Sequence, residues 1–389
     1  MIDANLRHLR VFLSVVESAS ITRAAEHCHV TQPAVTQAIA KLETEAGQPL
    51  FHRTRQGFFP TAAGEALQRR AGRAMTMLDL ALGEIAPRLR VTATRAQLQA
   101  LVAAAEAQNF SLAARQLGIA QPSVHRAVTQ LEREAGRALF QRNSTGIAPT
   151  RGCLALAQVA RLAFVELAQA QAELGELAGS EVGEIVIGAM PLSRAHILPR
   201  ALTVFRETRP NLPVKIVEGS YDELLAGLRR GTIDFLIGAL RDPLPIDDVV
   251  QERVFDDTLA ILAGPTHPLL GKGTPTAQDL AAFPWLVARR GTPTRHSFDA
   301  LFTAAGVAPP RAVIETGSVI LMREMVQDGR HLACVSRAQA GGEIARGLVH
   351  AVTLELPGSE RPIGLTRRRD WVPTPAQALM LDCVRAIGS

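Results

Sequence analysis

The sequence predicts a multi-domain protein in which two copies of a small helix-rich domain precede a larger α/β domain. Three observations predict this organisation. The front half repeats itself, each copy ends in a long helix with heptad spacing, and strand-like runs alternate with helices from Glu184 onward. The 389 residues exceed one ordinary domain of about 100–200 residues. Hydrophobic residues make up 47% of the chain, which is enough to fill several cores.

The front half matches itself without a gap when it is shifted by 89 residues. The matched segments include Ala24-Ala25 with Ala113-Ala114, Gln32-Pro33 with Gln121-Pro122, Glu45-Ala46-Gly47 with Glu134-Ala135-Gly136, and Leu50-Phe51 with Leu139-Phe140. Two copies are fewer than a solenoid needs. The repeat therefore indicates a duplicated small domain.

Each copy is predicted to contain three helices and a two-stranded hairpin. A tight turn is predicted between the second and third helices, and Gly118 in the second copy indicates that it needs a positive φ; the first copy departs from this pattern with His29. Thr31 is a candidate cap for the third helix of the first copy. The hairpins are predicted over Leu50–Thr61 and Leu139–Thr150.

The third helix of each copy carries hydrogen-bonding side chains on the face opposite its apolar stripe. A helix in the major groove reads base edges with such groups and holds phosphates with basic ones, and the hairpin can grip phosphate as a wing. The alternative for any such helix is an ordinary solvated face. The candidate DNA-binding residues are Gln32, Pro33, Thr36, Gln37, Lys41, Arg53 and Arg55 in the first copy, and Gln121, Ser123, His125, Arg126, Gln130 and Arg142 in the second.

Residues 20–61 and, independently, residues 111–150 resemble the winged helix-turn-helix domain of LysR-type transcriptional regulators. Most members of that family carry one such domain, so the tandem pair is a departure that affects subunit arrangement and operator geometry. The heptad stripes begin at Leu67 and Leu156, and the resemblance implies that these helices are the linker and dimer helices. The alternative is that each helix packs against its own domain. The predicted boundaries are 1–61 and 94–150 for the winged domains, and 62–87 and 151–180 for the linker helices.

The back half, residues 183–389, is predicted to be a mostly parallel α/β structure. Strands are expected at Ile185–Ala189, Val214–Glu218, Ile233–Leu240, Leu259–Leu262, Trp285–Val287, Val313–Glu315, Leu332–Val335 and Ile363–Leu365. Residues 211–240, 290–307, 315–326 and 360–377 resemble the effector-binding domain of the same family, closest to the galactose-binding protein regulator subgroup. The resemblance implies a two-lobed, type 2 periplasmic-binding-protein-like fold. Lobe I would span about 183–254 and 361–389, and lobe II about 255–360, with chain crossings near Phe255 and Glu360.

Several helices of this half begin with hydroxyl side chains directly after a predicted strand. Helix N-termini favour carboxylates and phosphates, and a nearby arginine can hold a carboxylate with two hydrogen bonds. Each hydroxyl taken alone could be an ordinary helix cap. The candidate effector-binding residues are Leu192, Ser193, Ser220, Thr292, Thr294, Arg295, Thr316, Ser318 and Arg337.

The net charge of +5 lies in the front half, with +3 in residues 1–90, +2 in residues 91–180 and zero in residues 181–389. This distribution favours double-stranded DNA as a partner of the front half. The sequence has no nucleotide-binding, hydrolase or metalloprotease motif in a suitable context, so we expect no enzyme activity, catalytic residue, metal or cofactor. Its four cysteines have no zinc-site spacing.

The sequence thus predicts a DNA-binding transcriptional regulator controlled by a small, anionic metabolite held between two lobes. The other expected partners are further copies of the chain, as a dimer or tetramer, and RNA polymerase as a candidate. With no signal peptide and no long apolar run, we expect no membrane contact and a cytoplasmic location. Two alternatives are an effector-independent DNA-architectural protein and a solute-binding protein for a transporter.

Overall fold

The structure is a computed structural model that describes residues 5–143, 146–244, 246–354, 356 and 358–388. The chain forms two compact units, the first ending at Gly183 and the second beginning at Glu184. The side chain of Arg142 lies outside the described residues.

The first unit contains the two repeated copies, which we call head 1 and head 2. Head 1 and its linker helix consist of α1 (Leu6–Ser18), α2 (Ile21–His27), α3 (Gln32–Ala46), β1 (Phe51–Thr54), β2 (Gly57–Pro60) and α4 (Ala62–Ile85). After the short helix α5 (Leu89–Thr92), head 2 and its linker helix consist of α6 (Arg95–Ala107), α7 (Phe110–Leu117), α8 (Gln121–Ala135), β3 (Phe140–Asn143), β4 (Gly146–Pro149) and α9 (Arg151–Leu177).

The predicted hairpins are present in both heads as antiparallel pairs, and each is fastened to the first helix of its own head. The backbone N–H of Phe58 donates to the carbonyl of Ala19 at 3.0 Å, and Ile147 repeats this bond to Gln108 at 3.3 Å. A side chain at Gly57 would place its Cβ 2.5 Å from the Ala19 carbonyl oxygen, so this close approach requires glycine. The wing is therefore held rigidly to the helical part of each head.

The heptad stripes of α4 and α9 pack against each other inside the unit. Leu67, Ala71, Ala74 and Leu78 are buried in one core together with Leu156, Ala160, Ala163 and Leu167. The two helices run antiparallel, because Ile85 at the end of α4 lies beside Gly152 at the start of α9, while Arg70 near the start of α4 bonds to Glu173 near the end of α9. We call this contact the α4–α9 seam.

The length and composition of α9 would by themselves allow it to cross a membrane, and half of its most apolar stretch is buried inside the protein. Its buried side chains include Glu166, Gln169 and Glu173, which all bond to Arg70 of α4. Carboxylates fixed in this way belong to a protein interior rather than to a lipid-facing helix. We therefore interpret α9 as a core helix of the first unit.

The second unit consists of two sheets with helices packed on them. The first sheet and its helices comprise β5 (Ile185–Ala189), a π-helical turn (Ser193–Ile197), α10 (Leu198–Thr208), β6 (Val214–Glu218), α11 (Tyr221–Arg230), β7 (Phe235–Ala239), β8 (Val249–Asp257), β14 (Arg361–Arg368) and α16 (Pro375–Gly388). The second sheet and its helices comprise β9 (Leu259–Ala263), α12 (Ala277–Ala281), β10 (Trp285–Val287), α13 (Pro293–Ala304), β11 (Val313–Glu315), α14 (Val319–Val326), β12 (Leu332–Ser336), α15 (Arg337–Ala345) and β13 (His350–Ala351).

Both sheets are mixed, so the expectation of a mostly parallel structure was wrong. The strand orders are β6-β5-β7-β14-β8 and β11-β10-β12-β9-β13, and in each sheet two neighbouring pairings are parallel and two are antiparallel. The antiparallel pairings are made by the first strand after each crossing between the lobes: β9 pairs with β12 and β13, and β14 pairs with β7 and β8. Strand β8 stays in the first sheet as far as Asp257, so the first crossing is at Thr258, three residues after Phe255, near which the sequence placed it.

The turn before the third helix has histidine in head 1 and glycine in head 2, so exchanging the two residue types tests the backbone strain at this position. His29 has φ 53° and Gly118 has φ 65°, and both side-chain positions are exposed. A left-handed conformation costs an L-residue about 1–2 kcal/mol, part of which the freedom of glycine in the unfolded chain offsets. His29→Gly should therefore raise the free energy of unfolding of the first unit by about 0.5–1 kcal/mol, and Gly118→His should lower it by about 1 kcal/mol.

Urea unfolding followed by far-ultraviolet circular dichroism measures both variants. The two tryptophans, Trp285 and Trp371, lie in the second unit, so their fluorescence transition should stay unchanged as an internal control. If both variants changed the free energy of unfolding in the same direction, the positive φ at this turn would not be what determines their stability.

Candidate nucleic-acid interface and ligand cleft

The third helix of head 1, α3, buries one face and exposes the other. Thr31 caps it by accepting from the backbone N–H of Ala34 at 3.4 Å, and Val35, Ile39 and Leu42 are fully or almost fully buried. The opposite face carries the sequence-predicted set of Gln32, Pro33, Thr36, Gln37 and Lys41, which are all exposed.

Two side chains of this face are available to a partner. Thr36 donates to the carbonyl of Gln32 at 3.2 Å, whereas Gln37 and Lys41 have no hydrogen bond or ion pair within the described residues. An uncommitted amide and an uncommitted ammonium one helical turn apart suit a base edge and a phosphate respectively.

The wing of head 1 presents its two predicted arginines to solvent in different states. Arg53 pairs with Glu43 at 3.2 Å and lies 5.9 Å from the Phe58 ring centre, while Arg55 is exposed near the hairpin turn without a recorded partner. Glu43 also accepts from the backbone N–H of Leu50 at 3.0 Å, so it fixes the start of the wing as well as Arg53. Arg55 is the freer of the two cations.

The corresponding face of head 2 is more engaged with its own helix. His125 is half-buried, with its ring 5.3 Å from the Phe110 ring, and Gln130 donates to Glu134 at 3.3 Å. Arg126 donates to the carbonyl of Pro122 at 3.3 Å and to Ser123 at 3.5 Å. Gln121, Arg126 and Gln130 are exposed and Ser123 is intermediate, so the face remains reachable although its side chains are partly preoccupied.

A cleft of about 840 Å³ opens between the two sheets of the second unit. This volume suits a small organic ligand. Six of the sequence-predicted effector residues line it, namely Leu192, Ser220, Thr292, Thr294, Thr316 and Ser318. The hydroxyls of Ser220, Thr292 and Ser318 cap α11, α13 and α14, so three helix N-termini converge on one space.

The other three predicted effector residues do not line the cleft. Ser193 is fully buried and donates to the carbonyl of Met190 at 2.7 Å. Arg295 is buried in ion pairs with Asp299 at 2.9 Å and Glu315 at 2.7 Å, and it borders a different depression. Arg337 is exposed at the start of α15 and does not itself line the cleft, although its neighbour Ser336 does.

Four cations that the sequence pattern did not identify line the cleft, namely Arg194, Arg241, Arg289 and Arg361. Two lining carboxylates are already committed, because Glu218 pairs with Arg194 and Glu223 accepts from the hydroxyl and backbone N–H of Ser220. Within the part of the chain that the structure describes, Arg241 and Arg289 have no carboxylate within salt-bridge distance. The cleft therefore carries an excess of positive charge.

Arg241 and Tyr221 form a desolvated pair at one wall of the cleft. The guanidinium lies 4.5 Å from the centre of the Tyr221 ring. Burial lowers the pKa of Arg241 and raises the pKa of Tyr221. The Tyr221 hydroxyl is buried without a hydrogen-bond partner among the described residues. A buried donor and a cation without a carboxylate are the groups that an anionic ligand would satisfy.

Arg361 connects the two lobes at the base of the cleft. It donates to Asp257 of the first sheet at 3.0 Å and to the Thr294 hydroxyl of α13 in the second lobe. The Asp257 carboxylate is buried and also accepts from the backbone N–H of Ala338 at 3.0 Å. The crossing strands and both lobes thus meet at one ion pair.

The cleft has no catalytic arrangement among its described residues. Burial raises the pKa of Cys334, which lines it, to about 12, so this thiol is not a nucleophile near neutral pH. The described residues also contain no group of three or more histidine, cysteine, aspartate or glutamate side chains that could hold a metal ion.

Profiles of two protein domains match the chain. "Bacterial regulatory helix-turn-helix protein, lysR family" matches residues 6–65 and again residues 96–153, and "LysR substrate binding domain" matches residues 178–388. The repeated match coincides with the two heads, and the third covers the unit that contains the cleft.

Relatives and solved structures agree with these matches. The chain is 35% identical to the HTH-type transcriptional regulator GalR of Pseudomonas putida, over 100% of this chain and 99% of that protein. It is 29% identical to the regulator GbpR of Azospirillum brasilense, over 74% of this chain and 85% of that protein. The crystal structure of full-length CbnR complexed with its target DNA covers 75% of this chain and 98% of its own, with 24% identity and a TM-score of 0.51, which supports the fold.

Removing one partner of the lobe-connecting ion pair should destabilise the second unit strongly. Arg361→Met leaves the Asp257 carboxylate buried without its cation, which typically costs about 3–5 kcal/mol. Asp257→Asn/Arg361→Met should recover most of this loss, because a neutral amide can still accept from Ala338. Tryptophan fluorescence in urea reports this unit directly. If the double variant is as unstable as Arg361→Met, the unpaired Asp257 carboxylate is not the cause of the instability.

Proposed function

The chain belongs to the LysR family of transcriptional regulators, and we propose that both of its heads read DNA while a small anion in the cleft sets its activity. As a member of this family it is a DNA-binding regulator and not an enzyme. It binds operator DNA and a small-molecule effector, and it assembles into oligomers.

The domain organisation we propose follows the sequence boundaries. The winged heads occupy 1–61 and 94–150, the linker helices 62–87 and 151–180, and the effector domain 183–389. Support comes from the start of α4 at Ala62, the start of α9 at Arg151, and the division of the chain after Gly183. In the effector domain the lobes exchange at Thr258 and again just before Arg361. We place the protein in the cytoplasm, where operator DNA and RNA polymerase, its candidate further partner, are found.

For DNA reading, the supporting observation is the exposed polar face of α3 opposite a fully buried apolar face. Gln37 and Lys41 carry the most weight because nothing in the described protein occupies them. Head 2 would read a different sequence, since His125 and Arg126 stand where head 1 has Thr36 and Gln37. We propose that Gln32, Pro33, Arg53 and Arg55 assist the first head, and that Gln121, Ser123, Gln130 and Arg142 assist the second.

Replacing the two free side chains of α3 should weaken operator binding in distinct ways. Gln37→Ala should cost about 1–3 kcal/mol and relax specificity at one base position, whereas Lys41→Ala should weaken binding to all sequences and reduce the salt slope by about 0.9. Arg126→Ala in head 2 should also make the salt dependence shallower. Binding is measured by fluorescence anisotropy on operator and random duplexes over a salt series.

Lys272→Ala provides the matched control, because it removes an exposed lysine of the second unit. It should leave operator affinity and salt slope as in the wild type. If Gln37→Ala and Lys41→Ala behave like this control, α3 is not the operator reader. If Arg126→Ala alone keeps the operator affinity and salt slope of the control, head 2 takes no part in reading DNA.

For the effector, the supporting observation is the excess of arginine in the cleft beside three capped helix starts. The lining contains four arginines and two glutamates, and both glutamates are engaged by neighbouring residues. Arg241 and Arg289 are the cations left for a ligand. A small carboxylate could accept from both and from the Tyr221 hydroxyl, and Leu192, Thr292, Thr294, Thr316 and Ser318 would complete its contacts.

A screen of sugar acids and aromatic carboxylic acids should therefore find a ligand that stabilises the full chain. At 100 times its dissociation constant such a ligand stabilises the fold by about 2.7 kcal/mol. Thermal unfolding followed by tryptophan fluorescence measures this in the second unit. Arg241→Met and Arg289→Met should each reduce the shift.

Arg337→Met is the matched control, because Arg337 is an exposed arginine of the same unit outside the cleft lining. A ligand that stabilises Arg241→Met/Arg289→Met as well as it stabilises this control would contradict the site. A regulator that bent DNA equally well with and without every acid tested would favour an effector-independent architectural role.

A further inference from the structure

The α4–α9 seam contains one fully buried cation. Arg70 is 1% exposed, and it donates to three side chains of α9. Its Nε and Nη2 donate to Glu173 at 3.0 and 2.6 Å, and its Nη1 donates to Glu166 at 3.0 Å and to Gln169 at 2.8 Å. Burying this charge is tolerable only because α9 supplies acceptors around it.

Two further arginines of α4 extend this cluster toward solvent. Arg73 pairs with Glu166 at 3.2 Å and Arg69 with Glu173 at 3.6 Å. The cations thus come from α4 and the carboxylates from α9. We call Arg69, Arg70 and Arg73 with Glu166, Gln169 and Glu173 the seam cluster.

The seam has an approximate two-fold symmetry in its other contacts. Gln48, just after α3, donates to the carbonyl of Leu174 on the opposite linker helix at 2.8 Å. Its equivalent 89 residues later, Arg137 just after α8, donates to the carbonyl of Glu84 on the opposite linker helix at 3.1 Å. Each head is thus fastened to the linker helix of the other head.

The seam cluster breaks this symmetry. At an offset of 89 residues, Arg70 corresponds to Val159 and Arg73 to Leu162, while Glu166 corresponds to Met77 and Gln169 to Leu80. Only the Glu173 position keeps its charge, as Glu84. The cluster therefore exists at one end of the seam and has apolar residues in its place at the other.

This asymmetry decides which helices can pair. If two copies of α9 packed together, Glu166 and Glu173 would face Val159 and Leu162 and lose their cations. If two copies of α4 packed together, Arg70 would face Met77 and Leu80 in place of Glu166 and Gln169, with Glu84 in place of Glu173. A buried charge deprived of its partner is strongly destabilising, and such groups are known to fix the choice of helix partner.

We propose that the seam cluster enforces the pairing of α4 with α9, so that one chain carries a complete two-headed DNA reader for an operator made of two unlike half-sites. This inference rests on the proposed function, because it requires both heads to read DNA. A pair of identical heads from two chains, which would select a palindrome, is disfavoured by the charges of the seam.

Selection of duplexes from a random-sequence pool by the full-length wild type tests the operator. The expected result is two different half-sites at one fixed spacing. Two like half-sites in a palindrome, or a single half-site, would overturn the inference while leaving DNA reading intact. No enrichment of any sequence would overturn the proposed function together with it.

A variant with an apolar seam tests the cluster itself. Replacing a whole buried ionic cluster by apolar residues often preserves stability. Arg70→Leu/Glu166→Leu/Gln169→Leu/Glu173→Leu should therefore fold, as judged by its circular dichroism, but lose the fixed pairing. In the wild type, the duplex with both half-sites should bind roughly 100-fold more tightly than a duplex with one.

Moving the half-sites apart by five base pairs, about half a helical turn, should remove most of that advantage in the wild type. The apolar-seam variant should bind the original and shifted duplexes within about threefold of each other, since paired modules on a loose linkage tolerate spacing. Its affinity for a single half-site should equal that of the wild type.

The control variant is Arg161→Leu/Glu106→Leu, which removes an ion pair between α9 and α6 outside the seam. It should keep the spacing dependence of the wild type. If the apolar-seam variant also keeps it, the cluster does not enforce the pairing. Where that variant fails to fold, the half-sites selected by the wild type still decide the inference.

Discussion

Arg70 is a buried guanidinium that donates to Glu166, Gln169 and Glu173 of the neighbouring helix α9, and the arrangement of the first unit depends on this contact. It sets the register in which α4 lies against α9. Each linker helix is joined to its own wing, because Thr61 bonds to the carbonyl of Leu50 at 3.0 Å and Thr150 to that of Leu139 at 2.9 Å. The positions of α3 and α8 therefore follow from the seam, and a slip of one helical turn would change which α9 side chains face the arginine.

The second unit is organised around a different electrostatic constraint. Asp257 and Arg361 lie on paired strands at the crossing between lobes, and Thr294 extends the link to the second lobe. This pair satisfies one arginine of the cleft internally, whereas Arg241 and Arg289 remain without carboxylates in the described structure. A ligand that bound these two would neutralise charge that the folded protein leaves uncompensated.

The sequence predicted much of this architecture, and the omissions have physical causes. The repeat, the capping residue Thr31 and the alternation of strands with helices depend on local patterns, which a single chain reveals. Heptad spacing predicted that each linker helix forms a seam, but apolar periodicity does not specify which helix is the partner. Strand β8 was missed because its charged and half-exposed residues lack a clear apolar alternation.

The effector-binding residues also depend on three-dimensional contacts that local sequence patterns do not reveal. Arg295 and Arg241 both lie near the start of a helix or the end of a strand, and only three-dimensional contacts distinguish them. Asp299, four residues after Arg295 on one helix, was a sign that this arginine would be neutralised locally. No comparable sign identified Arg241, because its position beside Tyr221 results from the packing of β7 and α11.

The covalent union of the two heads has a consequence for how such a regulator can change over generations. In a protein that reads DNA as two identical subunits, every substitution in a reading helix appears twice, and both halves of the target must change with it. Here α3 and α8 are encoded separately and already differ at Thr36 and Gln37 against His125 and Arg126. With both heads reading DNA as proposed, each half of the target could drift alone, and new binding sites would become reachable by single steps.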